Sequence, residues 1–196
     1  MRRLALSLAM VLAGPAGAAG PVDPDWPCIQ RRQPALSVAQ LWPAAVPAGL
    51  DDTRTLDPAI QALGQQLALR RTSMEEAAEL LARFIATHPD SDRLPLFMVT
   101  LDHLQAARGR VLSGITRYAH AQAGLDAAII EQRHRLERLL AAADPDHDAI
   151  DAAEAAVDWS TRIFLDRQQS LIHVCETPVI LEQRAFALAR LIAGGG

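Results

Sequence analysis

Apolar residues recur through most of this chain at helical spacing, and nowhere in the alternation of a half-buried strand. Asp57-Pro58 reads as an N-cap followed by proline at the first helical position. Ile60, Leu63, Leu67 and Leu69 then form a stripe that ends near Arg71. Thr72-Ser73-Met74-Glu75 matches the capping-box pattern with Thr72 as cap, and Leu80, Leu81, Phe84 and Ile85 follow it. His88-Pro89 stops that helix. A third helix is predicted from Ser91–Pro95 to Asp144, on the order of 70 Å at a rise of about 1.5 Å per residue.

That third segment is patterned in heptads. Taking Leu101 as a, the a positions are Leu101, Arg108, Ile115, Gln122, Ile129 and Leu136. The d positions are Leu104, Val111, Tyr118, Leu125, Gln132 and Leu139. Most are apolar, which makes a coiled-coil seam with polar interruptions. Asp144-Pro145-Asp146 breaks the chain, and Ile150, Val157, Phe164 and Leu171 then recur every seventh residue up to Cys175. Pro178 is expected to kink or restart this last helix, with Thr177 as its cap.

The two long arms, about 94–143 and 147–193, are nearly equal, and so short a loop forces them antiparallel. The predicted fold class is therefore all-α. A long antiparallel helical hairpin, kinked at Pro178, carries two shorter helices in a bundle-like arrangement, preceded by a Pro-rich arm. The expected divisions are a signal peptide over 1–19, an extended arm over 20–55 and a single helical bundle domain over 56–193.

Six of the twelve prolines crowd into the arm, which excludes long helices there and leaves room for one short turn at Ser37–Trp42. Trp26 and Trp42 punctuate it. They either pin the arm to the folded body or face a partner.

Composition changes the picture in three ways. Arg2 and Arg3, the apolar run Leu4 to Leu12 and the small-residue box Ala16-Gly17-Ala18 form the three-part layout of a secretory leader cleaved near Ala18. The expected product is Sec-exported, periplasmic and without a transmembrane anchor in its mature form. Two cysteines in an oxidising compartment favour a single disulfide, Cys28–Cys175. The competing reading is a reactive Cys175 thiol ahead of a helix beginning at Thr177-Pro178. Finally, the chain has no Lys and no Asn, and its formal charge is −4. An acidic chain disfavours nucleic acid as a partner.

Candidate chemistry is sparse. If residue 143 faces 147, Arg108 falls beside Glu182, Gln122 beside Gln168 and Gln132 beside Asp158. These pairs either set helix register or, with His120, line a polar pocket for a ligand. The acidic run around His147 fails as a calcium loop, because Ala149 and Ala155 stand where glycine and an acid are needed. Glu131-x-x-His134 has the spacing of a di-iron element but lacks a second copy. Arg108, Arg110 and Arg117, followed by Arg133, Arg135 and Arg138, either face an anion or pair with neighbouring acids.

No cofactor, metal site or complete catalytic set is expected. The leading expectation is an exported, non-catalytic interaction module of adaptor, accessory or chaperone-like type, with a protein partner in the periplasm. A metal or small-molecule carrier using the polar seam is the alternative, and a thiol redox protein using Cys175 is the second. Oligomeric state is left open.

Overall fold

The computed structural model describes residues 23–47 and 57–194. The expected leader and the junction between arm and bundle lie outside them. Among the described residues there is no strand. The elements are α1 (Val38–Leu41), α2 (Pro58–Ala68), α3 (Met74–Ile85), a 3-10 turn (Asp90–Asp92), α4 (Arg93–Leu140) and α5 (His147–Ala193).

Local chemistry accounts for most boundaries. Asp57 caps α2 by accepting from the Ala59 N–H at 2.7 Å, with Pro58 at the first position. The cap of α3 falls one residue later than its sequence pattern predicts. Ser73 accepts from the Glu76 N–H at 3.1 Å, because the Thr72 hydroxyl is buried and donates to the Gln66 carbonyl at 2.9 Å. Hydrogen bonds from backbone and from Ser73 hold the exposed Glu75 carboxyl below its ordinary pKa, as suits an acid in a first helical turn. At the other end of the chain, Gly194 takes a left-handed φ of 85° and closes α5.

Pro178 neither breaks nor restarts the last helix, which is continuous across it. The seam Ile150, Val157, Phe164, Leu171 runs on in sevens through Pro178, Ala185 and Ile192, and those three are buried. Interior proline costs a helix roughly 3 kcal/mol, and packing along this seam outweighs that. Thr177 is accordingly not a cap. Its hydroxyl donates back to the His173 carbonyl at 3.4 Å.

The core sits at the base of the hairpin. Leu96, Phe97, Leu101 and Leu104 of α4 meet Leu181, Ala185, Leu188 and Ile192 of α5, with Ile60, Leu63 and Leu67 of α2 and Leu81 and Phe84 of α3 packed on them. Gly64 brings α2 close to α4: a Cβ there would lie 2.6 Å from Val99 Cγ1. Arg184 fastens α2 to α5, donating twice to the Leu67 carbonyl at 3.1 and 2.6 Å, and burial lowers the pKa of its guanidinium.

The N-terminal arm fills the opposite groove between the long helices. Side chains of α4 donate to its main-chain carbonyls: Thr116 to Asp25 (3.1 Å), Arg108 to Gln33 (2.7 Å) and Gln105 to Leu36 (2.8 Å). Trp42 stacks on Phe97 with ring centroids 5.4 Å apart. Arm and helix therefore run antiparallel, and the Cys28–Cys175 disulfide ties the arm to α5.

Candidate functional site: the bare end of the hairpin

The two long helices extend well beyond the elements that cover them. Described contacts of the arm reach His120 on α4 and Cys175 on α5, and α2 lies against Ala107, Val111 and Thr177. Between residues 121 and 170 only Ile129 and Ile150 are buried. The heptad seam closes this part, but a two-helix layer covers only a narrow stripe of each helix.

Apolar side chains are consequently left in solvent. Ile130 (47%), Leu140 (55%), Leu165 (52%), Ile172 (62%) and Trp159 (64%) are all exposed. Sequence reasoning did not single these out. A signal existed: Leu165, Ile172, Val179 and Phe186 recur every seventh residue, one position after the core seam. A second apolar stripe beside the first marks a helix that needs cover on two sides.

The polar seam divides into a satisfied half and an unsatisfied half. Arg108 is 4% exposed, and its Nε donates to Glu182 Oε1 at 2.7 Å while the guanidinium also holds the Gln33 carbonyl. That pair ties the arm to both long helices, and Gln33 and Glu182 also border a cavity of about 420 Å³ with Leu36, Gln40 and Phe186. His120 lies at the surface, its Nε2 2.5 Å from Asp25 Oδ1. It anchors the arm.

The remaining expected pairs do not form. Gln122 Nε2 donates to the Phe164 carbonyl at 3.2 Å, and its Oε1 is buried without a partner. Gln168 is exposed. Gln132 Oε1 is likewise buried and unpaired, while Asp158 is exposed. In place of the equal-offset pairs, α4 side chains there reach α5 carbonyls: Tyr118 donates to that of Arg167, as Gln122 does to that of Phe164. Burial raises the Tyr118 pKa, and the charge of Arg167 opposes the rise.

Trp42 flanks the core and so holds the arm to the body. Trp26 is half-buried, folded onto its own segment by a 2.6 Å bond from Nε1 to the Gln30 carbonyl, with the Arg32 guanidinium 5.9 Å from its ring centroid. Cys175 is buried, disulfide-bonded and deep inside α5, far from any helix N-terminus that would acidify it. Glu131 and His134 are exposed and engage Arg138 and Glu137 at 3.1 and 3.2 Å.

Among the described residues no three His, Cys, Asp or Glu side chains gather to hold a metal ion. A concavity of about 580 Å³ between α2 and α3 is lined by Gln65, Gln66, Arg71, Thr72 and Glu76. Its one hydroxyl, Thr72, is committed to the Gln66 carbonyl. No described helix is long and apolar enough to cross a membrane. Comparison with protein-family models, curated proteins and solved structures returned no match.

Proposed function

We propose that this protein is an exported, non-catalytic helical interaction module, an adaptor or accessory subunit of the periplasm. Its base is a mount and its bare hairpin the element that engages a protein partner. The observation that carries this reading is the exposure of Leu165 and Ile172 on α5 and of Ile130 and Leu140 on α4, which no described element covers. Exposed large apolar side chains grouped on one surface mark interaction sites on soluble proteins. The disulfide and the leader-like N-terminus support an oxidising compartment.

The test is co-purification from periplasmic extract with the oxidised chain and with the Leu165→Glu/Ile172→Glu variant. Both side chains are exposed, so the variant should keep its helicity. A partner retained by the parent chain and lost by the variant is the expected result. Absence of any stoichiometric partner, or one that binds both chains equally, would refute the assignment.

A further inference from the structure

The flank of the bare hairpin opposite the arm carries a knob and a hole. The hole is a cavity of about 230 Å³ lined by Gln132 and Arg135 of α4 and by Ala149, Ala152, Ala153 and Ala156 of α5. The knob is Trp159, 64% exposed, one heptad along α5 from Ala152 and so on the same face. The cavity continues the groove that α2 fills at the base, where Arg184 and Thr177 mark the same side of α5. A third helix covers this groove at one end and nothing described covers it at the other.

We infer that this face pairs with a second copy of the chain, the Trp159 ring of each entering the alanine cavity of the other. Knob and hole lie on one face of one helix, so each of two copies offers both. In an antiparallel α5–α5 contact, a two-fold axis between Ala155 and Ala156 places each Trp159 opposite the Ala152 of the partner subunit. A two-fold interface requires that reciprocity. Alanines at the crossing let the two helices approach closely, and an apolar cavity of about 150 Å³ already accepts an aromatic ring.

The polar chemistry is complementary too. Gln132 borders the cavity with a buried, unpartnered Oε1. An indole N–H is a donor only, and rotation of the Gln132 amide about its last bond turns the acceptor toward it. Arg135, also on the cavity wall, supplies a guanidinium of the kind that stacks on aromatic rings. Asp151, Glu154 and Asp158 fall by register on the arm-side flank of α5, away from the contact. Asp166 shares the Trp159 face and meets the acidic loop end at the rim, where Arg162 lies opposite Ala149, next to Asp148 of the partner subunit. Leu165 and Ile172 lie on that same arm-side flank and stay open, so self-pairing goes beyond the partner binding proposed above.

Sedimentation equilibrium of the oxidised, leader-free chain tests this. The parent chain should associate to a dimer in the micromolar range. Trp159→Ala removes the knob and Ala152→Arg fills the hole, and each should weaken the dimer by roughly tenfold or more, the scale of losing an aromatic anchor. Mixing the two variants should restore partial association, since one knob and one hole remain. Matching far-ultraviolet circular dichroism verifies that the variants are folded. A parent chain that stays monomeric, or variants that dimerise as tightly as the parent, would overturn the inference. Leu165→Glu/Ile172→Glu should dimerise normally, which separates failure of self-pairing from failure of partner binding.

Discussion

Arg108 occupies an a position of the seam, where charge is expensive to bury. Its side chain is 5% exposed and that of Glu182 15%, with 2.7 Å between the paired atoms. A Lys point charge would not meet Glu182 and the Gln33 carbonyl together as the planar fork does. Arg108→Ala strands Glu182 and removes the donor to Gln33, and should cost about 3–5 kcal/mol in urea unfolding. Replacing both partners by Met should recover most of that loss, because the desolvated charges disappear together. A double variant as unstable as the single one would show that the pair is not the origin of the effect. The pairing itself was legible from sequence, since the antiparallel offset put Arg108 beside Glu182. Gln122–Gln168 and Gln132–Asp158 followed the same arithmetic and did not form. A long amide or carboxylate has several carbonyls and a solvent shell within reach, and offset alone does not choose among them.

At the scale of elements, glycine separates packing from propensity. A Cβ on Gly64 would press on Val99 at 2.6 and 2.9 Å and on the Thr100 backbone at 3.2 Å, whereas one on Gly124 meets nothing within 4 Å. Gly124→Ala should therefore stabilise by about 0.5–1 kcal/mol through helix propensity. Gly64→Ala should destabilise by about 1–3 kcal/mol despite the same gain, because α2 must lift from α4. Thermal melts of the two variants moving in opposite directions is the expected outcome. Stabilisation by both would mean that the α2–α4 contact is looser than described. Pro178 teaches the same lesson in reverse. Local rules predicted a kink or a restart; the restart does not occur, because burial on a seven-residue seam keeps α5 continuous across Pro178.

Among the described residues, the molecule is held at one end by three layers and is two helices at the other. The Cys28–Cys175 bond spans 147 residues and locks the arm into its groove. By the chain-entropy model a loop of that length contributes about 4–5 kcal/mol, and measured bridges more often give about 2–4. Reduction should lower the melting temperature and release the arm, which trypsin would report as faster cleavage after the exposed Arg31 and Arg32. The bare hairpin, which no described residue of the arm reaches, should keep its protection. An unchanged melting point after complete reduction would show that side-chain hydrogen bonds hold the arm unaided.

Helix number, approximate boundaries, the antiparallel hairpin, the heptad seam and the disulfide pairing all followed from the amino-acid sequence. Each rests on periodicity, capping residues, loop length or a count of two, which are properties of neighbours along the chain. Tertiary structure decided which grooves were filled: the arm in one, α2 and α3 in the other, both at the base. It thereby decided that Trp42 packs inward, that Trp159, Leu165 and Ile172 stay in solvent, and that Gln132 borders an alanine-lined cavity. A side chain's periodicity says that it needs cover. Only the spatial reach of the other elements says whether this chain supplies it.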